Sequence, residues 1–321
     1  MVLRKGALVA VVAVVVGMAV AGCGSKAGPP PSFVSAWDAG TARVGKINRP
    51  EGIGIGRRGE LLLADTWNDR ILVASADFAV AGTLGQFGDK PGALQGPRSV
   101  TTDKVGNIYV VDAWNHRIQK FSPTGRFLLA FGGKGAPWGY DEADGKFVYP
   151  YGIAVDSQGY IYVSDFNNNR IQKFDPLGKF VKKWGTQGRQ DGQFSHPAAM
   201  AIDSQDRLYV ADVGNGRIQS FTTEGEFSGK FGSATAKIEQ FDRPYGVAVD
   251  SKGDVYVAEF GASKVHKYTP SGALVWSLDK RGGAEGELEM PIGVTVDGSG
   301  SVYVVDWGNN RIQKFSQPSG G

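Results

Sequence analysis

Cysteine and histidine are scarce in this chain, which limits the metal and redox chemistry open to it. The 321 residues include one cysteine, Cys23, and three histidines, His116, His196 and His266. A single cysteine cannot form an intrachain disulfide, so the fold must be held together by packing. A zinc site needs several nitrogen or sulfur ligands that converge on one point. The histidines occupy three different places in the sequence repeat described below, so we expect no bound metal and no other cofactor.

An excess of basic charge is also missing. Lys and Arg number 35 against 32 Asp and Glu, a net charge of +3. Without the first 22 residues, which contain Arg4 and Lys5, the balance is 33 against 32. Binding to nucleic acid requires a clustered excess of positive charge. The composition therefore predicts no nucleic-acid partner.

Long hydrophobic stretches are absent except near the N-terminus, where residues 7–21 form an apolar run behind Arg4 and Lys5. These 15 residues are fewer than the roughly 20 that a membrane-spanning helix needs. They predict a secretory signal peptide over residues 1–22. Cys23 follows Val-Ala-Gly, which resembles the lipobox of bacterial lipoproteins, in which the cysteine is acylated. The alternatives are an ordinary signal peptide with an incidental cysteine, or an uncleaved anchor.

From this resemblance we expect residues 23–32 to be a lipidated Cys23 with a flexible tether. The protein would then be anchored outside the cytoplasm, at the outer membrane or cell surface. Its only membrane contact would be the lipid, and it would be a monomer.

One short pattern is abundant: it occurs six times. Asp65-Thr-Trp-Asn-Asp-Arg-Ile returns as Asp112-Ala-Trp-Asn-His-Arg-Ile and, with variations, from Asp165, Asp212, Glu259 and Asp306. A proline precedes each copy, and these prolines are 47 residues apart except for 53 residues between the second and third; they are Pro50, Pro97, Pro150, Pro197, Pro244 and Pro291. A fixed period of this length predicts an array of similar supersecondary units.

Each unit has the pattern of four short strands. In the third copy, residues 152–156, 160–164, 170–174 and 180–184 are apolar, β-branched or aromatic runs separated by Gly, Pro, Asn and Asp. Four strands per repeat are typical of a propeller blade. The last copy ends at its third strand, and residues 33–37 supply a matching fourth strand at the other end of the chain. We therefore predict an all-β, six-bladed β-propeller over residues 33–316, closed by the N-terminal strand and followed by a tail at 317–321.

The motifs Pro-Tyr-Gly-Ile-Ala-Val-Asp, Ile-Tyr-Val-Ser-Asp and Asn-x-Arg-Ile-Gln-Lys-Phe resemble the NHL repeat. The resemblance implies the same six-bladed propeller. The fifth copy departs most, with Glu259, Ala262 and Lys264 in place of Asp, Asn and Arg, so we expect a looser loop there. Some members of the family bind RNA, and others carry a zinc-binding RING module. The balanced charge and the single cysteine argue against both roles here.

The repeated polar residues are interpreted as scaffold. Asp112, Asn115 and Arg117 have equivalents around the ring, whereas a reaction needs its acid or base only once. A carboxylate at a tight turn can accept backbone N–H groups, and the following Arg can pair with it.

Function is expected where the copies differ, on the face that carries the inter-blade loops. By the resemblance, the residues after the repeated prolines lie near the mouth of the central channel. The candidate ligand-binding residues are Glu51, Arg98, Tyr151, Tyr245, Trp67, Trp114, Phe166, Phe260 and Trp307. Exposed aromatic rings with Arg are typical of recognition surfaces. The alternative is that these rings cap the apolar contact between blades.

The longer 53-residue spacing places six extra residues within residues 132–149. This segment is a second candidate binding loop and contains Trp138, Tyr140, Asp141, Glu142 and Asp144. Its carboxylates lack the spaced pattern of a known calcium loop. A solvated loop without a ligand is the alternative.

The sequence thus favours a binding or scaffold module for a protein, a peptide or an envelope glycan, without a catalytic residue. The alternative is a lyase or hydrolase at the channel mouth, because some relatives of this propeller are lyases that hold zinc with histidines. No Gly-x-Ser-x-Gly, phosphate-binding loop or His-Glu-x-x-His motif occurs in the chain.

Overall fold

A computed structural model of the protein describes residues 27–37, 46–136, 143–232 and 240–318. These residues form six four-stranded antiparallel sheets. Short 3-10 turns of three residues join the second and third strands of five sheets, and residues 260–263 form a plain turn in the remaining one. Among the described residues, none forms a helix long and apolar enough to cross a membrane.

The strands follow the predicted repeat. The first strand of the chain and the first two blades are β1 (Ser32–Trp37), β2 (Ile53–Ile55), β3 (Leu61–Asp65), β4 (Arg70–Ala74), β5 (Val80–Leu84), β6 (Pro97–Thr102), β7 (Ile108–Asp112), β8 (Arg117–Phe121) and β9 (Phe127–Gly132). Blades 3 and 4 comprise β10 (Pro150–Val155), β11 (Ile161–Asp165), β12 (Arg170–Phe174), β13 (Phe180–Trp184), β14 (Pro197–Ile202), β15 (Leu208–Asp212), β16 (Arg217–Phe221) and β17 (Phe227–Phe231). Blades 5 and 6 comprise β18 (Pro244–Val249), β19 (Val255–Glu259), β20 (Lys264–Tyr268), β21 (Leu274–Leu278), β22 (Pro291–Val296), β23 (Val302–Asp306) and β24 (Arg311–Ser316).

The N-terminal strand closes the ring, as predicted. In the sixth blade the order is β1-β24-β23-β22, and Phe33 pairs with Phe315 in the antiparallel register. The two rings meet edge to face at 6.2 Å, and the buried Trp37 stacks on Phe78 at 5.8 Å. The outer strand of the last blade therefore comes from the opposite end of the described chain, which covers the edge of β24.

The first strand of each blade lines the central channel, and neighbouring first strands approach closely. A Cβ on Gly293 would lie 2.5 Å from the carbonyl oxygen of Glu51 in the next blade. A Cβ on Gly152 would collide in the same way with the carbonyl oxygen of Ala198. Glycine is thus required at these two positions, whereas blades 2 and 4 carry Ser99 and Ala199 two residues after the proline.

The repeated polar residues hold the inter-blade connections in place. In blade 2, Asp112 accepts hydrogen bonds from the backbone N–H of Gln95 (2.7 Å), from Asn115 (2.9 Å), from Nε of Arg117 (2.7 Å) and from Gln119 (2.9 Å). The other guanidinium nitrogens of Arg117 donate to three backbone carbonyls of the preceding connection. The scaffold interpretation of these residues therefore agrees with their geometry.

A second repeated contact, which we term the inter-blade clasp, joins adjacent blades. The residue after each loop between second and third strands has positive φ, and at five seams its side chain accepts the backbone N–H of the residue before the next proline. The acceptor and donor pairs are Asp69–Gly96 (2.8 Å), His116–Tyr149 (3.2 Å), Asn169–His196 (2.8 Å), Ser263–Met290 (3.1 Å) and Asn310–Arg49 (2.7 Å). At the sixth seam, the carbonyl of Gly216 accepts the backbone N–H of Phe241 instead (3.1 Å).

Candidate functional site

The mouth of the channel is formed by the residue that follows each repeated proline. We call the surface around it, which carries the inter-blade connections and the loops between second and third strands, the loop face. Blades 1, 2 and 3 place Glu51, Arg98 and Tyr151 at the mouth, and blades 4, 5 and 6 place Ala198, Tyr245 and Ile292 there. The mouth therefore has a polar half and a mainly apolar half. It opens into a cavity of about 350 Å³ that the six inner strands enclose.

In the polar half, Oε2 of Glu51, Nε of Arg98 and the hydroxyl of Tyr151 are buried and make no well-formed hydrogen bond in the described protein, although the Tyr151 hydroxyl lies close enough to Glu51 to act on its pKa. Nη1 of Arg98 lies 3.7 Å from Oε2 of Glu51, and the guanidinium lies 5.0 Å from the centre of the Tyr151 ring. Because buried polar atoms normally have a partner, these three groups indicate a site for a polar ligand.

Burial raises the pKa values of Glu51 and Tyr151 in this cluster. Loss of solvent raises the pKa of Glu51, and the positive charge of Arg98 opposes that rise. Burial, together with the charge of Glu51, raises the pKa of Tyr151 well above its usual value, so its hydroxyl keeps its proton. The cluster thus offers two fixed donors, on Arg98 and Tyr151, beside one carboxyl group.

The aromatic candidates form a band of neighbouring rings on the loop face. The successive contacts are Trp114–Trp67 (6.5 Å), Trp307–Phe260 (5.6 Å), Phe260–Tyr245 (5.5 Å), Tyr245–Tyr151 (5.6 Å) and Tyr151–Phe166 (5.6 Å). Arg49 bridges the remaining gap, with its guanidinium 5.0 Å from the Trp67 ring and 4.7 Å from the Trp307 ring. The structure therefore brings together all nine residues predicted around the mouth.

The rings of this band differ in exposure. Phe166, Phe260 and Trp307 are half-buried and pack against the apolar clusters between blades. These three rings therefore cap the apolar contact between blades, which was the alternative interpretation. Trp67 and Trp114 are 52% and 38% exposed. They stand one position later in their loops, where the side chain faces solvent, and the smaller Thr66 and Ala113 take the inner position.

Residues 137–142 of the second candidate loop lie outside the described residues, and with them Trp138, Tyr140, Asp141 and Glu142; the lipidation candidate Cys23 lies outside them too. Asp144 is described, and its carboxylate forms an ion pair with Lys183 at 3.0 Å. The structure thus gives Asp144 a partner on the outer strand of blade 3.

The three histidines lie in separate structural contexts. His116 is part of an inter-blade clasp, and His196 lies against the ring of Phe166 at 4.9 Å. His266 occupies the position of Gln119 in blade 5, where Nε2 contacts Glu259 at 2.6 Å and Nδ1 contacts Ser277 at 2.6 Å. A search of the described part of the chain finds no group of three or more His, Cys, Asp or Glu side chains that could hold a metal ion.

Two features of the site were not predicted from the sequence. Arg49 precedes the first repeated proline and has positive φ. Its position between two Trp rings depends on the meeting of the first and last blades. The inter-blade clasp was also missed, although its acceptor column of Asp, His, Asn, Ser and Asn is visible once the repeats are aligned.

Comparison with known proteins identifies the repeat. The sequence model of the family described as NHL repeat matches residues 94–121, 147–174, 194–221, 241–268 and 288–315. Protein brain tumor from Drosophila melanogaster is 35% identical over 104 residues, which cover 32% of this chain and 10% of that protein. The chain therefore spans about a tenth of the length of this curated relative.

Solved structures show the same architecture. Virginiamycin B lyase from Staphylococcus aureus has a TM-score of 0.61 and 16% identity over 88% of this chain and 85% of its own. A gluconolactonase from Xanthomonas campestris has a TM-score of 0.62 and 16% identity over 92% of this chain and 99% of its own. At these identities the likeness concerns the fold alone. The chain is therefore a six-bladed β-propeller that contains five NHL repeats.

Proposed function

We propose that this NHL propeller is a membrane-tethered, extracytoplasmic binding module whose loop face binds a protein or peptide. The observation that carries the proposal is the aromatic band that runs from the exposed Trp114 to the buried polar atoms of Glu51, Arg98 and Tyr151. Large aromatic rings and Arg are the residues that contribute most to binding energy at protein interfaces.

The distribution of polarity supports a ligand that is partly apolar and partly polar. The rim offers rings whose faces and edges are accessible, and three guanidinium groups, those of Arg49, Arg98 and Arg243, lie over rings of the band. The centre offers buried hydrogen-bonding atoms. Peptides combine apolar side chains with regularly spaced amide groups, which matches this arrangement.

Location outside the cytoplasm rests on the N-terminal sequence. The signal-like residues 1–22 and the lipobox-like Cys23 support export and acylation. A binding module on a short lipid tether would present its loop face to proteins of the cell envelope.

Site-specific photo-crosslinking in the producing cells tests the binding face. A photoreactive residue replaces Trp67 on the loop face or, as the control, Leu177. Leu177 is 80% exposed and lies in the turn between the third and fourth strands of blade 3, on the opposite face. We expect a discrete protein adduct from position 67 and none from position 177. Equal labelling from both positions, or none from position 67, would contradict the proposal. A glycan adduct at position 67 would identify the ligand as an envelope glycan and not a protein.

One observation favours a second candidate, a lyase or hydrolase at the same mouth. Glu51 is a buried carboxyl group with a raised pKa between Arg98 and Tyr151, and such groups act as general acids or bases. Incubation of the crosslinked partner, once identified, with the purified protein would reveal turnover by mass spectrometry. Cleavage of the partner that disappears in Glu51→Gln would show that the protein is an enzyme. A partner that remains intact would support the binding module.

A further inference from the structure

The first described residues of the chain follow the lipidation candidate closely in sequence and lie at the outer edge of the propeller. The backbone N–H of Gly28 donates to the carbonyl oxygen of Val275 at 2.7 Å, so the segment before β1 lies against the outer strand of blade 5. Residues 29–31 are all proline, and Pro31 is buried. Proline restricts φ, so the link between Gly28 and β1 is stiff. The segment is therefore held at the seam between blades 5 and 6.

This contact limits how far the propeller can lie from a membrane that holds Cys23. Acyl chains insert into the bilayer, so an acylated Cys23 would lie at the bilayer surface. Gly28 is five residues after Cys23, and five residues span at most about 18 Å whatever their conformation. If Pro31 were the first fixed point, the limit would be about 29 Å. The hydrogen bond at Gly28 therefore keeps the edge of blade 5 close to the bilayer.

The edge that Gly28 contacts lies toward the side of the propeller opposite the loop face. Strands β20 and β24 both begin at the loop face, because each follows a loop between second and third strands. Ser32 pairs with Ser316 at the far end of β24, and Leu274 pairs with Tyr268 at the far end of β20. The acceptor of the Gly28 N–H is the residue directly after Leu274. An anchor at this position would therefore direct the loop face away from the bilayer.

The surface around this edge has the composition that suits contact with a bilayer. Residues 27–37 and 268–278 contain no Asp, Glu, Lys or Arg. Two of their apolar side chains are exposed, Val34 at 49% and Leu274 at 38%. Apolar side chains gain free energy at the boundary between lipid headgroups and acyl chains, and the lack of carboxylates avoids repulsion by anionic headgroups.

We propose that the edge of blades 5 and 6 around Gly28, Val34 and Leu274 is the membrane-facing surface of the anchored protein, and that the lipid bilayer is its partner. This inference rests on the membrane-tethered part of the proposed function, because it requires an acylated Cys23. The loop face would then point into the cell envelope, where its ligand can reach it.

Quenching by nitroxide-labelled lipid headgroups tests this orientation. The acylated protein is purified from membranes and reconstituted into vesicles of phosphatidylethanolamine and phosphatidylglycerol that contain the nitroxide lipid. Acylation blocks the sulfur of the only native cysteine, so a cysteine introduced at a second position can be labelled selectively with a fluorophore. Val34→Cys probes the proposed surface, and Trp67→Cys probes the loop face.

Val181→Cys is the matched control for Val34→Cys. Val181 also follows a phenylalanine in the outer strand of its blade, is 45% exposed and belongs to blade 3, on the far side of the ring from blade 6. We expect the label at position 34 to lose about half of its fluorescence and the labels at positions 181 and 67 to lose little, because the short reach from Cys23 keeps only the edge of blades 5 and 6 among the headgroups.

Gly28→Pro tests the contact that sets this reach, because it removes the donor to Val275 and keeps Cys23. The limit then rises to about 29 Å, so quenching at position 34 should fall about twofold while the protein stays on the vesicles. The melting temperature of each variant checks that the fold is retained. Unchanged quenching at position 34 in Gly28→Pro would overturn the role of the Gly28 contact.

Equal quenching at positions 34 and 181 would overturn the orientation, because the protein would then turn freely about its anchor. Stronger quenching at position 67 than at position 34, or no quenching at any position of vesicle-bound protein, would also overturn it. A protein that leaves the vesicles would overturn the lipid anchor and this inference with it. Crosslinking of a partner from position 67 does not depend on these results, so the binding role of the loop face would stand or fall separately.

Discussion

The residue after each repeated proline has the same backbone position in all six blades and a different side chain in each. Glu51, Arg98 and Tyr151 stand in successive blades, so their side chains meet although they are about 50 residues apart in sequence. Backbone repetition fixes where these side chains lie, and the differences among them fix what they can bind. The residues that maintain the repeated backbone are the Asp, Asn and Arg that recur around the ring.

At the residue scale, His116 provides a pH-dependent contribution to stability. Its Nδ1 accepts the backbone N–H of Tyr149, so this contact requires the neutral ring. Burial lowers the pKa of His116 from its usual 6.5, and the nearby charge of Lys134 lowers it further. Because the unfolded chain then binds the proton more readily than the folded one, the stabilisation is complete above pH 6.5 and is lost as the pH falls toward the lowered pKa.

His116→Asn should remove this dependence and keep the clasp. Asn169 and Asn310 already serve as acceptors at equivalent seams, and Asn tolerates positive φ better than most residues. We expect urea unfolding to show a smaller loss of stability between about pH 7.5 and pH 5.5 in the variant than in the wild type. The same loss in both proteins would mean that His116 does not couple protonation to folding.

At the element scale, the close approach of neighbouring inner strands limits side-chain size at Gly293. Gly293→Ala would place Cβ 2.5 Å from the Glu51 carbonyl oxygen and 2.9 Å from Cγ2 of Val305. Neither strand can move without disturbing the seam that closes the ring, so we expect a loss of about 1–3 kcal/mol in the free energy of unfolding.

Gly82→Ala is the matched control for that substitution, because a Cβ on Gly82 in the outer strand of blade 1 meets no atom within 4 Å. Replacement there should be neutral or slightly stabilising, since alanine reduces the freedom of the unfolded chain. Denaturant titration of both variants tests the contrast. Similar stabilities would show that the inner strands can separate to accept a side chain.

The sequence repeat made the strands and blades of this structure predictable. Strand number, blade number and the closing role of residues 33–37 all follow from spacing and from the missing fourth strand of the last copy. The nine mouth residues could be selected because they vary at fixed repeat positions. The sequence shows that Trp67 and Trp114 stand one position beyond Phe166 in the repeat, but it could not show that they face solvent, because loop alignment alone does not give side-chain direction.

Aligned repeats show the acceptor positions of the clasp, but neither the contacts of the clasp nor those of Arg49 could be predicted, for a related reason. Each depends on contacts across a seam between blades, where the two partners belong to different repeats. Gly216 illustrates the limit: alignment suggests that Asn would complete the sixth clasp, yet a Cβ at that position would collide with the carbonyl oxygen of Phe241. The seam there uses a backbone hydrogen bond in its place.

At the scale of the whole molecule, the ring is stabilised by one strand from its opposite end. Phe33→Pro removes a backbone N–H from β1 and loses the ring contact with Phe315. We expect a loss of about 3 kcal/mol or more and a lower melting temperature. Val34→Ala is the control, because Val34 is 49% exposed on the other face of the same strand and should change stability little. Unchanged thermal unfolding of Phe33→Pro would show that the ring does not depend on this closure.

In the proposed membrane-tethered form, the position of the molecule in the cell depends on a single atom, the sulfur of Cys23. If residues 1–22 are removed and the thiol is acylated, the wild-type protein should sediment with membranes, require detergent for release and incorporate an alkyne-labelled fatty acid. Cys23→Ser cannot be acylated on sulfur and should lose the label. Two acyl chains hold a protein stably on a bilayer, whereas one polar tether does not.

A variant that is released in soluble form outside the cytoplasm would establish the lipid anchor. A wild type that keeps residues 1–22 and takes up no label would identify an uncleaved anchor, and a soluble wild type would identify an ordinary signal peptide.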